Sequence, residues 1–185
     1  MGVAFLGDQF ENRLVIQCRL ARLAHPGRTD RLEPCQIVAG DLPCYRIYED
    51  ELSLAILDVN PFSKGHCLVI PKRHVPWWHE LSDDENASLF KVAKVVAEKM
   101  MIALEPDFVC MYARGRRIPH THIFLVPTYQ GDILDRFFNA LELFQESPPE
   151  LAALREKDSM EDIADLLREA DPKKSSKSKD YSVEC

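Results

Sequence analysis

The chain has 185 residues, of which 46% are hydrophobic and 29% are charged, and its formal net charge at pH 7 is −7. This length and hydrophobic content are typical of a globular domain with a real core and argue against a disordered protein. The negative charge argues against a protein that coats extended nucleic acid, although a site for a single nucleotide needs only a few local donors.

The N-terminal residues 1–33 are predicted to form a helical extension. An apolar stripe predicts a helix over residues 8–24, and Pro26 marks its end. Charged residues that include Asp8 and Arg13 interrupt this segment, so we expect no secretory signal. No apolar run approaches the roughly 20 residues that span a bilayer, so we expect no membrane partner.

Six cysteines are scattered along the chain without a CxxC pair. This pattern, together with the missing export signal, predicts free thiols in a reducing, cytoplasmic environment. The six are Cys18, Cys35, Cys44, Cys67, Cys110 and Cys185.

Short apolar runs from Tyr45 onward predict a β-sheet. Residues 45–48 and 52–57 are predicted as two strands joined by an acidic turn, and residues 66–70 as a third strand that Pro71 closes.

A long helix is predicted to follow. Ser82 and Glu85 have the spacing of a capping box, with additional acid in the first turn, and Pro106 marks the end of the helix. Its apolar stripe comprises Leu89, Val92, Ala93, Val96, Ala97, Met100 and Leu104.

Residues 108–112 and 118–127 are predicted as a hairpin around a basic turn. Because the long helix separates two groups of strands, the sequence predicts an α+β fold with an antiparallel sheet and a crossing helix. Helices are also predicted at 131–145, 148–156 and 160–169. The predicted organisation is an extension (1–33), a nucleotide-binding domain (34–128), a helical extension (129–171) and a disordered tail (172–185).

The most informative segment is His120-Thr121-His122-Ile123-Phe124. On a strand, residues two apart share a face, so His120, His122 and Phe124 are expected to point one way. Two such histidines can hold a metal or present a nucleophile to phosphorus, and the alternative is a pair of core histidines. For a nucleophilic imidazole, one ring nitrogen should donate to a carbonyl group, which fixes the tautomer.

Two other segments are candidates for binding a nucleotide. The turn Arg114-Gly115-Arg116-Arg117 could bind phosphate, or it could be a solvated hairpin turn. Asp58 could accept hydrogen bonds from ribose hydroxyls, but its spacing alone favours an Asx-turn.

A zinc site is the alternative use of the histidines. His66 could face His120, and Cys35 is the nearest plausible thiolate, but Leu32 occupies the place of a CxxC partner. We therefore expect no metal or cofactor, with zinc as the alternative. The further histidines that could join such a site are His66, His74 and His79.

Together these segments resemble the histidine triad (HIT) family of nucleotide hydrolases and transferases. The resemblance covers about residues 35–128 in the order and spacing of the family. The matching blocks are 35–43 (CQIVAGDLP), 48–50 (YED), 57–61 (LDVNP), 65–74 (GHCLVIPKRH) and 119–127 (PHTHIFLVP).

The resemblance implies an α+β fold, usually in a homodimer whose strands join into one continuous sheet. It also implies that His122 is the nucleophile and that His120 supports it. It assigns the ribose to Asp58 and the base to Val59. The phosphate contacts that it implies are Gly115, Arg116 and Arg117.

Phe124 occupies the position of the third histidine, which in the family hydrogen-bonds the phosphate or leaving-group side. Phenylalanine has no donor, and losing such a hydrogen bond in the transition state costs about 2.7–4 kcal/mol. The expected function is hydrolysis or nucleotidyl transfer at the α-phosphorus of a purine nucleotide conjugate, through a nucleotidyl-histidine intermediate. The alternatives are a nucleotide-binding, non-catalytic regulatory protein and an interaction protein that uses its terminal helices.

Overall fold

A computed structural model describes residues 33–113, 118–146, 148, 151 and 154–170. The predicted N-terminal helix, the basic turn at 114–117 and the predicted tail lie outside these residues. The described chain forms two units, divided between Tyr129 and Gln130.

The first unit contains a five-stranded sheet in which every pair of neighbouring strands is antiparallel, in the order β1-β2-β3-β5-β4. Two helices and a 3₁₀ turn at Trp78–Glu80 accompany the sheet, so the predicted α+β fold is confirmed. The elements are α1 (Glu33–Ala39), β1 (Arg46–Glu49), β2 (Ser53–Leu57), β3 (Cys67–Pro71), α2 (Asp83–Leu104), β4 (Phe108–Tyr112) and β5 (Ile123–Thr128).

Helix α2 begins with the predicted capping box. The Ser82 hydroxyl accepts from the Glu85 N–H at 3.3 Å, and the Glu85 carboxylate accepts from the Ser82 N–H at 2.9 Å. The apolar stripe of the helix packs on one face of the sheet and forms the main core. The buried members of this core are Ala55, Cys67, Val69, Leu89, Val92, Ala93, Val96, Met100, Ile123 and Leu125.

The opposite face of the sheet carries a smaller buried cluster of Leu54, Ile56 and Ile70. Two residues of α1, Ile37 and Val38, pack against it. This helix was not predicted from the sequence, and it also places Cys35 in a buried position.

Strands β3 and β5 lie side by side in the sheet, with Leu68 opposite Phe124. The predicted start of the last strand at residue 118 is wrong, because β5 begins at Ile123. The N–H of Thr121 instead donates to the Val75 carbonyl at 2.7 Å, and Pro119 has no N–H to contribute to a ladder.

The second unit contains α3 (Ile133–Glu146) and α4 (Lys157–Glu169), which correspond to two of the predicted helices. The helix predicted at 148–156 lies mostly outside the described residues. None of the described helices combines the length and the apolar character needed to cross a membrane.

Candidate active site

His122 lies just before β5 and is buried, with 8% of its surface exposed. Its Nδ1 is 2.7 Å from the carbonyl oxygen of His120. When Nδ1 donates to this carbonyl, the lone pair of the neutral ring is on Nε2. This is the hydrogen bond expected for a nucleophilic imidazole.

A cavity of about 180 Å³ adjoins His122. Thr121 contributes to its wall, and Ala113, which directly precedes the basic turn, lies on another side. The volume suits a phosphoryl-sized group and its substituent rather than a complete nucleotide. The remaining lining residues are Pro76, Trp77 and Trp78, which the sequence did not assign to the site.

Phe124 is packed among aromatic rings. Its ring stacks on Tyr112 with centroids 4.7 Å apart and contacts His122 in a T-shaped arrangement at 4.9 Å. On a third contact it meets the His66 ring at 5.5 Å. The structure therefore brings Phe124 against the candidate nucleophile, as the shared strand face predicted.

His66 is fully buried, and burial lowers the pKa of its imidazole, opposed by the charge of Asp58. Nδ1 accepts a hydrogen bond from the Phe62 N–H at 3.3 Å, so the proton of the neutral ring is on Nε2. That nitrogen has no hydrogen-bond partner within the described residues. The expectation that His66 would join a metal site with His120 is not met, because its recorded contacts are Asp58, Phe62 and Phe124.

Asp58 follows β2 and has both of the interactions considered for it. One carboxylate oxygen accepts from the Asn60 N–H at 2.7 Å, which makes the predicted Asx-turn. The other oxygen is 3.6 Å from His66 Nδ1. The adjacent Val59 is 44% exposed, which leaves an apolar side chain available beside the carboxylate.

A second cluster contains His120, Cys35 and His74. His120 Nδ1 is 3.4 Å from both Cys35 Sγ and His74 Nδ1, and the sulfur is 3.7 Å from His74 Nδ1. His120 Nε2 donates to the Pro71 carbonyl at 3.0 Å. Burial, reinforced by the neighbouring His74 and His122, lowers the pKa of His120 to about 4, against the effect of the Pro71 carbonyl.

These three side chains match three corners of a zinc site. Tetrahedral zinc with bonds of about 2.1 Å separates its ligand atoms by about 3.4 Å, close to the observed distances, and neutral His120 has its lone pair on Nδ1. The sequence expected Cys35 to be a free thiol, which is wrong, because it is disulfide-bonded here. Its sulfur would therefore become a thiolate ligand only after reduction. The candidate ligand His79 is not part of the cluster.

The predicted phosphate-binding residues Gly115, Arg116 and Arg117 lie outside the described residues. Their role stays a prediction. Their neighbours on either side are described, and Ala113 and Thr121 both reach the cavity beside His122.

The chain matches the HIT domain family over residues 39–131. An adenosine 5′-monophosphoramidase of Schizosaccharomyces pombe is 41% identical over 98 residues, which cover 50% of this chain and 71% of that protein. An adenylylsulfatase of Arabidopsis thaliana is 35% identical over 105 residues, covering 54% of this chain and 53% of that protein.

The fold also matches a crystal structure of a HIT family member from Bacillus subtilis. The TM-score is 0.63 at 26% identity, with 80% of this chain and 99% of that chain covered. The matched sequence segment includes the candidate nucleophile, its carbonyl partner and Asp58. This chain therefore belongs to the HIT domain family.

Proposed function

We propose that this protein hydrolyses nucleotide conjugates at the α-phosphorus through a nucleotidyl intermediate on His122. The observation that carries the proposal is the 2.7 Å hydrogen bond from His122 Nδ1 to the His120 carbonyl. It leaves Nε2 as the nucleophilic nitrogen and stabilises the positive charge that develops on the ring when Nε2 becomes bonded to phosphorus.

The reaction has two displacements at the same phosphorus. First, the Nε2 lone pair of His122 forms a P–N bond while the bond to the leaving group breaks and the leaving group takes its electron pair. Water then attacks phosphorus, the P–N bond breaks, and a proton of the water is released to solvent. The products are the leaving group and a nucleoside monophosphate.

The nucleotide is held by residues on either side of His122. Asp58 accepts hydrogen bonds from the ribose, and Val59 contacts the base. Gly115, Arg116 and Arg117 bind the phosphate, for which guanidinium groups are well suited. The names of the two relatives, an adenosine 5′-monophosphoramidase and an adenylylsulfatase, support an adenosine nucleotide.

The proposal is tested by trapping the intermediate. The protein is mixed with adenosine 5′-phosphoramidate or adenylyl sulfate, quenched without acid and analysed by mass spectrometry. We expect an adenylyl adduct on His122. His122→Asn removes the nucleophile while keeping a polar side chain, and it should abolish the adduct and lower the rate by at least about 10³-fold. Hydrolysis that persists in this variant would contradict the mechanism.

A second candidate function is nucleotide binding without turnover, and Phe124 is the observation that favours it. Its ring contacts His122 where a polar group would assist the reaction. Calorimetry with AMP and GMP, combined with a turnover assay, separates the two functions. Binding without product would favour a regulatory protein.

We also propose that the chain forms a homodimer through the β4 edge surface, defined as Met101, Ile102, Phe108 and Met111. Strand β4 ends the sheet, so one side of its backbone has no neighbouring strand within the described residues. Phe108 and Met111 are about half exposed, and Ile102 is 81% exposed. An apolar surface beside an open strand edge is a favourable place for a second copy to pair.

No cofactor is needed for the two displacements. Where zinc is bound to the reduced protein, Cys35, His74 and His120 would hold it, and it would supply a structural crosslink between α1 and the segment that carries His122.

A further inference from the structure

The side chain that contacts the His122 ring from β5 offers no acidic proton. Phe124 presents only carbon-bound hydrogens, and its neighbours Tyr112 and His66 are also rings that pack on it. The His66 Nε2 proton has no partner in the described structure, yet Phe124 is in contact with both histidine rings. The one imidazole donor left uncommitted nearby is thus packed against Phe124.

Other polar groups near His122 can hydrogen-bond but cannot hand over a proton. The Thr121 hydroxyl has no partner in the described structure and belongs to a residue that lines the cavity with His122, but an alcohol is a very weak acid. The turn before His120 contains three arginines in the sequence, Arg114, Arg116 and Arg117. A guanidinium remains protonated in proteins, so it stabilises an anion without acting as a general acid.

This arrangement distinguishes between leaving groups. When a P–N bond to an amine breaks, the electron pair goes to nitrogen, which must gain a proton because an amide anion is too basic to depart. When a P–O bond of an anhydride breaks, the pair goes to an oxygen that departs as a stable carboxylate, sulfate or phosphate anion. A site with cationic donors and no acid lowers the barrier for the second reaction and not for the first.

We propose that the substrates are anhydrides in which a nucleoside monophosphate is joined through oxygen to an acidic group, and that Phe124 selects against conjugates of amines. This inference rests on the proposed function and narrows its substrate class. His122 Nε2 displaces the acidic group as its anion, without proton transfer, and water then releases the nucleoside monophosphate as described above.

The test compares conjugates that share AMP and differ in the leaving group. Acetyl adenylate, adenylyl sulfate and diadenosine tetraphosphate represent the three anhydride types, and adenosine 5′-phosphoramidate represents the amines. We expect at least one anhydride to be hydrolysed with a kcat/KM far above that of the phosphoramidate, and the comparison among the three identifies the acid. A phosphoramidate that is hydrolysed as well as the best anhydride would overturn the proposal.

The variant Phe124→His restores a group that can donate a proton. The ratio of kcat/KM for the phosphoramidate to that for the best anhydride should rise by about 10²-fold, the lower end of the range for general acid catalysis. Phe124→Leu, which relieves the packing without adding a donor, should leave the ratio within about threefold. A ratio that rises equally in both variants, or in neither, would show that the missing donor does not determine selectivity.

Tyr112→Phe removes the phenol of the ring that stacks on Phe124. If the phenol were the acid, the phosphoramidate rate alone would fall in this variant, and that result would also overturn the proposal. Should the Phe124 variants not fold, wild-type rates on aryl esters of AMP with phenols of graded acidity provide the same information. A steep dependence on phenol acidity supports unassisted departure, and a flat one refutes it. Failure of the wild type on every substrate would instead refute the proposed function.

Discussion

Three histidines of the first unit each have one ring nitrogen on a backbone group. His122 donates to the His120 carbonyl, His120 donates to the Pro71 carbonyl, and His66 accepts from the Phe62 N–H. The backbone thereby selects the tautomer of each ring before any ligand arrives. Consequently the lone pair available for chemistry is on Nε2 of His122 but on Nδ1 of His120.

The carboxylate of Asp58 can be tested apart from its structural role. In Asp58→Asn the amide oxygen can still accept from the Asn60 N–H and keep the turn, while the charged acceptor proposed for the ribose is lost. We expect nucleotide affinity measured by calorimetry to fall by about 10-fold or more. The free energy of unfolding should change by less than about 1 kcal/mol. Unchanged affinity would leave Asp58 with the turn as its only role.

His120 makes the stability of the protein depend on pH. Its pKa is about 4 when folded, below the ordinary value of 6.5, so between these values the unfolded chain binds the proton that the folded chain excludes. Stability is therefore full above pH 6.5 and declines as the pH falls toward 4, by about 2–3 kcal/mol at most. Urea unfolding of chelator-treated protein at several pH values measures this.

The variant His120→Asn should flatten that pH dependence, whatever its effect on stability at pH 7. His79 is exposed and provides the matched control, since His79→Asn should leave the slope unchanged. Parallel curves for the wild type and His120→Asn would assign the pH dependence to other groups.

Among the secondary-structure elements, α2 was predicted well because its signals are local. The capping box at Ser82 and the stripe from Leu89 to Leu104 are encoded by residues three and four apart. Helix α1 was missed because it has only seven residues and its apolar side chains pack on distant β2 and β3. Short helices depend on such packing rather than on propensity.

The candidate site was predicted in part for the same reason. The hydrogen bond of His122 to a carbonyl followed from the chemistry of imidazole, and its contact with Phe124 followed from strand spacing. The partners of His120 did not, since Cys35 and His74 are brought to it by long-range packing. The early end of the ladder at Ile123 depends on Thr121 bonding to Val75, which no local pattern encodes.

The start of α2 is linked to β3 by an ion pair. Arg73 donates to both oxygens of Glu85, at 2.5 and 2.7 Å, and this contact lowers the pKa of Glu85 to about 2. A carboxyl group whose pKa falls on folding contributes stability above its ordinary pKa of 4.5, and the contribution is lost as the pH falls toward 2.

We expect Glu85→Gln to lower the free energy of unfolding at pH 7 by about 1 kcal/mol, a value discounted because Arg73 is largely exposed. The difference from the wild type should shrink between pH 4.5 and pH 3 in chemical denaturation. Asp84→Asn changes an exposed acid in the same helical turn and serves as the control. A difference independent of pH would mean that Glu85 acts through packing alone.

For the whole molecule, the β4 edge surface makes a testable prediction about assembly. Ile102→Glu places a charge on a side chain that is 81% exposed in the single chain but buried in the proposed dimer. Light scattering should show a dimer for the wild type and a monomer for the variant. Leu167→Glu makes the same change at an exposed leucine of the second unit and should leave the mass unchanged. A wild-type monomer would refute the proposed assembly.

The antiparallel register of β3 and β5 restricts how this chain can change. The same pairing that sets Leu68 opposite Phe124 brings His66 to Phe124 at one end and His74 to His120 at the other. Deleting one residue within β3 would turn its side chains to the opposite face and shift one end against the other. Evolution can therefore alter the chemistry here by exchanging side chains, as at position 124, whereas insertions and deletions in β3 would disrupt both ends at once.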